Sequence, residues 1–162
     1  IENTQYVLVE FDVRKEIGNE QEVEERLYDV QFKGYTPIIA HVERYFKNGL
    51  DIERVNGFIE SGCIIQVNAT SFLGYHGKQA KKIAFQLLDE GLIHVIATHR
   101  ATGSRKPCLN KIFYLLEKKY NYHAIHTLMS ENPLHILKNE WLEPVYARES
   151  FFKKLAKKLK SK

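Results

Sequence analysis

Residues 34–45 read GYTPIIAHVERY, in which a short β-type run, Thr36–His41 (TPIIAH), gives way at once to ionisable side chains. Three more runs of this kind recur at nearly even spacing: Tyr6–Phe11 (YVLVEF), Ile64–Asn68 (IIQVN) and Ile93–Thr98 (IHVIAT). All are rich in Val and Ile and almost continuously apolar, which suits strands buried on both faces of a parallel sheet. The stretches between them carry helical periodicity. Residues 20–33 offer Val23, Leu27 and Val30; residues 51–61 offer Ile52, Val55, Phe58 and Ile59; residues 79–90 offer Ile83, Ala84, Leu87 and Leu88. Gly34, Gly62 and Gly91 stand where each helix must stop before the next strand. Repeated strand–helix units with short connections imply right-handed βαβ crossovers and an α/β sheet or barrel. Further helices are expected over residues 109–119 and 124–130, and from Asn132-Pro133 onward, because proline fits a first helical turn. Four parallel strands do not close a barrel, which needs about seven or eight. Either the sheet is open or strands lie ahead of this sequence.

The chain has 162 residues, 44% of them hydrophobic and 27% charged, which is enough for one globular core. No apolar run approaches the roughly 18–20 residues of a membrane span, and no signal peptide is visible. Cys63 and Cys108 are too few for a disulfide framework and lack metal-binding spacing, so reduced cytosolic thiols are expected. The net charge of +4 is uneven, because the last twelve residues, FFKKLAKKLKSK, contain six lysines and no acid. Without them, 18 basic and 20 acidic residues leave residues 1–150 at −2. A general nucleic-acid-binding surface is therefore not expected. The division of the chain follows the charge: a βα domain over 1–149 and a basic amphipathic tail over 150–162. In that tail Phe151, Phe152, Leu155 and Leu159 share one helical face, which suits an anionic membrane surface as well as a solvated terminus.

In α/β folds the chemistry collects at the carboxyl ends of the strands. Those ends carry Glu10, then His41 with Glu43 and Arg44, then Gln66 and Asn68, then His99 with Arg100 and Arg105. A carboxylate and imidazoles converging there suit a divalent metal, and arginines beside them suit phosphate. Bland alternatives stand beside each reading: a surface carboxylate for Glu10, a core histidine for His41, a pairing of Arg44 with Glu43 or Glu53. His76, His94, His123, His126 and His135 have no coherent spacing and read as structural.

The strings YVLVEF, GYTPIIAHVERY, GCIIQVNATSFLG and GLIHVIAT with SRKP behind it resemble the polymerase-and-histidinol-phosphatase (PHP) family. Within it they are most similar to the bacterial capsule and exopolysaccharide tyrosine-phosphatase branch. The resemblance runs from about Tyr6 to Asn139 and implies a partial or distorted PHP-type βα barrel with parallel strands. It implies a divalent metal centre, manganese most of all, that hydrolyses phosphotyrosine on the tail of the kinase controlling polysaccharide export. By position, Glu10 and His41 match metal ligands, Arg44 matches a phosphate-contacting arginine, and Arg105 a second one. The family's Asp-spacer-His after the fourth strand reads His99, Arg100 and Ala101 here, so His99 stands as a substitute metal ligand. The family's opening His-X-His strand and following ligands are not in this sequence, so the domain is expected to be incomplete at its N-terminus.

Three functions remain open: a metal-dependent tyrosine phosphatase, a phosphotyrosine or acidic-peptide binder without turnover, and a PHP-type hydrolase of another phosphoester. A cytoplasmic location is expected, with the possibility of a peripheral position at the inner membrane face. Sheet edges that nothing covers predict self-association, as a homo-oligomer, or poor solubility.

Overall fold

The computed structural model describes residues 1–18, 20–98, 109–142 and 145–147. Four strands, β1 (Tyr6–Val9), β2 (Thr36–Ile39), β3 (Ile64–Asn68) and β4 (Val95–Ala97), form one sheet in the order β1-β2-β3-β4. Every pair is parallel, with Tyr6 opposite Thr36, Ile38 opposite Ile64 and Asn68 opposite Ala97. Between the strands run α1 (Glu20–Phe32), α2 (Ile52–Glu60), and the pair α3 (Ala69–Phe72) and α4 (Lys78–Glu90). Spatial order equals chain order, so every crossover steps the same way and, being right-handed, keeps its helix on the same face. This is the winding of a barrel segment rather than of a doubly wound sheet. Among the described residues the segment is open.

Alternate strand residues divide the core in two. Ile39, Ile65, Val67 and Ile96 pack with Val23 and Leu27 of α1, Val55 and Phe58 of α2, and Ile83 and Leu87 of α4. Tyr6, Ile38, Ile64 and Val95 form the opposite face, covered by Ile136 and Leu142. The expected two-sided burial is present in β2 and β3, with every residue of β3 buried, whereas β1 leaves Leu8 exposed.

Local chemistry sets the helix ends. The Asp51 carboxylate accepts from the Arg54 N–H at 3.0 Å and starts α2, satisfying one of its otherwise orphaned donors. Gly91 ends α4 at φ 72°, a left-handed geometry that costs glycine little.

The structure departs from expectation in three places. β1 and β2 stop at Val9 and Ile39, two residues short, because the chain turns there toward the carboxyl edge. β4 is reduced to the three residues that pair with β3. The helices expected over 124–130 and from 132 are one continuous path: α6 (Tyr122–His126) runs through a wide π-type turn at Thr127–Glu131 into α7 (Asn132–Leu137). Pro133 has no N–H to give to the carbonyl four residues before it, and the turn widens there. Ahead of them lies α5 (Leu109–Glu117). No helix of the described residues is long and apolar enough to cross a membrane.

Candidate functional site

The carboxyl edge of the sheet gathers its polar groups from β1, β2 and β3. Glu10 follows β1 directly and keeps its side chain 46% exposed. His41 lies two residues past β2 and is buried. Its Nε2 stands 3.4 Å from Glu10 Oε1, so the two residues predicted from separate strand ends do meet. The His41 ring also lies 5.4 Å from that of Tyr45, and the Tyr45 hydroxyl accepts from the Phe11 N–H at 2.9 Å. Burial pushes the Tyr45 phenol well above its ordinary pKa, so it acts as a neutral strut between the ends of β1 and β2.

His41 adopts φ 40° and ψ 49°, a left-handed backbone unusual for a residue with a Cβ. The conformation turns the chain from β2 into a 3₁₀ turn, Val42–Arg44, that presents Arg44 half-buried at the edge. Two hydrogen bonds from β3 hold this corner. Gln66 Oε1 accepts from the His41 N–H at 2.6 Å. The Glu43 carboxylate accepts from the Asn68 N–H at 3.3 Å and from the Ser71 hydroxyl at 2.6 Å. Burial, partly offset by those donors, raises the Glu43 pKa from 4.5 to about 7.

Glu43 is therefore not the surface partner of Arg44 that the sequence allowed; its carboxylate faces the end of β3 and α3. Asn68 extends the network: its side chain accepts from the Thr70 hydroxyl at 2.9 Å and lies 3.2 Å from His76 Nε2. Thr70 Oγ1 is 2.8 Å from the same nitrogen. Sequence reasoning passed over His76, since no spacing ties it to the strand ends and tertiary folding alone brings it to Asn68. The other described histidines keep to structural positions. His94 Nδ1 accepts from the Ile65 N–H at 3.0 Å, and His126 and His135 face Glu131 and Glu140 on the surface.

Two donors about 2.1 Å from one ion and at a tetrahedral angle stand about 3.4 Å apart. The Glu10 and His41 donor atoms have that separation, and a carboxylate with an imidazole suits a borderline divalent cation. The pair fits part of a coordination shell. Among the described residues no third His, Cys, Asp or Glu joins it, so a complete shell needs further donors. His99 and Arg105, together with Arg100, lie outside the described residues.

Comparison with known proteins gives this edge a lineage. The family model for capsular polysaccharide synthesis, CpsB/CapC, matches residues 1–138. Tyrosine-protein phosphatase CpsB of Streptococcus pneumoniae is 29% identical over 146 residues, covering 86% of this chain and 59% of that protein. Tyrosine-protein phosphatase YwqE of Bacillus subtilis is 29% identical over 157 residues, covering 93% and 60%. Putative tyrosine-protein phosphatase CapC of Staphylococcus aureus is 29% identical over 143 residues, covering 86% and 54%. A crystal structure from work on YwqE and CpsB, described there as unique metal-dependent tyrosine phosphatases, superposes with a TM-score of 0.73. It is 28% identical and is matched over 93% of this chain and 60% of its own. The chain thus spans between 54% and 60% of the length of these relatives. The open parallel α/β segment and the resemblance read from its four strand blocks agree with these matches: the chain belongs to the CpsB/CapC family.

Proposed function

We propose that this chain carries part of a metal-dependent protein-tyrosine phosphatase site, acting on the phosphotyrosine tail of a polysaccharide-export kinase. The observation that carries the reading is the 3.4 Å approach of Glu10 to His41 at the carboxyl edge, with Arg44 on the next turn. Glu10 and His41 would hold the divalent ion, manganese in this proposal, with His99 as a further ligand. When bound, such an ion polarises a phosphoryl group and lowers the pKa of coordinated water. Arg44 carries a permanent positive charge beside that position and binds the equatorial phosphoryl oxygens, with Arg105 as a second cation. The bond from the His41 N–H to Gln66 holds the backbone, and burial of the ring against Tyr45 holds the imidazole, so less ordering entropy is lost on binding.

One observation favours a second reading. Only two metal-type donors gather among the described residues, which suits a phosphotyrosine binder that does not turn its ligand over. A titration with Mn²⁺ followed by paramagnetic broadening of the His41 ring signals separates the two. The phosphatase reading expects selective broadening at His41 that is lost in Glu10→Ala. Retention of a phosphotyrosyl peptide in chelator, with no broadening at His41, would establish the binder. The domain 1–149 is the unit proposed to do this in the cytoplasm. The tail 150–162 lies outside the described residues and is proposed to bring the chain to the anionic membrane surface. Liposome flotation with and without it tests that, and equal partitioning would remove the proposal.

A further inference from the structure

His41 and Arg44 stand three residues apart on a turn that the backbone does not favour by itself. A left-handed histidine followed by a three-residue 3₁₀ turn makes few bonds of its own: the Arg44 N–H donates to the His41 carbonyl at 2.9 Å and the Tyr45 N–H to the Val42 carbonyl at 3.2 Å. Backbone strain of this kind persists only where surrounding structure over-determines it. The surroundings here are asymmetric. Gln66 holds the entrance of the turn through the His41 N–H, and Tyr45 holds its exit to Phe11. The middle is held by two buried side chains: Val42 packs into the hydrophobic core, and Glu43 makes the polar hold. Glu43 is 1% exposed, and the Asn68 N–H and the Ser71 hydroxyl that donate to its carboxylate belong to the end of β3 and to α3.

A buried carboxylate is costly unless its acceptors are used, and an apolar residue there would fill the space at less cost. A backbone N–H and a hydroxyl from separate positions give the carboxylate one orientation, and with it the turn. We infer that Glu43 is a positioning residue: it clamps the Val42–Arg44 turn to the β3–α3 junction and so sets where His41 and Arg44 face the carboxyl edge. The inference rests on the phosphatase reading for the use of those two residues, and on geometry alone for the clamp. The same junction residue, Asn68, carries His76 on its side chain, so the clamp also ties the turn to the loop before α4.

The experiment compares Glu43→Ala, Glu43→Gln and Ser71→Ala in the full chain by amide hydrogen exchange and by the Mn²⁺ midpoint read at His41. Glu43→Ala is expected to speed exchange at His41, Arg44 and Tyr45 by about tenfold or more, the size of one charge-assisted hydrogen bond, while amides of α4 hold their rates. The Mn²⁺ midpoint should rise by about the same factor. Glu43→Gln, which keeps an acceptor oxygen in place, should restore both to within about threefold. Ser71→Ala removes one donor, leaves the carboxylate, and carries the same comparison if Glu43→Ala fails to fold. Unchanged exchange at the turn, or equal acceleration across the whole fold, would overturn the clamp. A wild-type chain whose His41 ignores Mn²⁺ would overturn the metal reading instead, while the exchange data would still decide the clamp.

Discussion

His41 shows what the carboxyl edge demands of a single residue. Its backbone is in the region that glycine occupies freely, at a cost of about 1–3 kcal/mol for a residue with a Cβ, yet its imidazole is buried against Tyr45 and meets Glu10. His41→Gly should therefore unfold at higher denaturant than His41→Ala, by about 1 kcal/mol, since both lack the ring and only alanine keeps the strain. Equal midpoints in urea would show that the corner is relaxed. Cys63 gives a second test at this scale. It is buried beside Ser61, and burial raises its thiol pKa, so at neutral pH the reactive thiolate is scarcer than for an ordinary cysteine. In a Cys108→Ser background, native protein should resist a thiol reagent and label fully in denaturant; fast native labelling would contradict the packing. The place of Glu10, His41 and Arg44 at the carboxyl edge was legible in the sequence, because the first two close an apolar strand run and the third lies three residues on. Glu43 stood beside them at the strand end, but its hold on β3 and α3 was not legible, because its donors Asn68 and Ser71 lie 25 and 28 residues away and an adjacent arginine offers a simpler partner.

At the scale of elements, the strand runs and the glycine stops reported the fold well because both are local: apolar continuity for β3, a left-handed C′ position for Gly91. Strand length was less legible. Where β1 and β2 end depends on the turn toward the edge, and β4 is as long as its pairing with β3 allows. The path from α6 to α7 shows the same limit, since Asn132-Pro133 reads as a helix start while the chain carries the helix through it as a wide turn. The Asp51 cap is a local device and supports a plain prediction. Asp51→Ala should cost about 1 kcal/mol of stability by loosening the first turn of α2, read by thermal or urea unfolding, whereas Asp51→Ser should cost less. No loss in Asp51→Ala would mean that tertiary packing alone sets the start of α2.

For the whole molecule the dominant fact is the one-way winding of an open sheet. Among the described residues β1 bonds on one side only, and Leu8, on the same face as buried Tyr6, is 48% exposed. An unpaired edge with an apolar side chain beside it invites pairing with another strand. The chain should therefore sediment with a concentration-dependent mass, and Leu8→Lys should shift it toward the monomer. A monodisperse wild-type monomer across the range would contradict this reading of the edge.

The decisive measurement is hydrolysis of a phosphotyrosyl peptide by the purified chain across a Mn²⁺ titration, with Glu10→Ala, His41→Ala and Arg44→Ala beside it. Turnover that rises with Mn²⁺, falls by about a hundredfold or more in each variant, and vanishes in chelator is the result predicted. Turnover indifferent to Mn²⁺ and to all three substitutions would contradict it, and none at any metal level would favour the binder reading of the same edge.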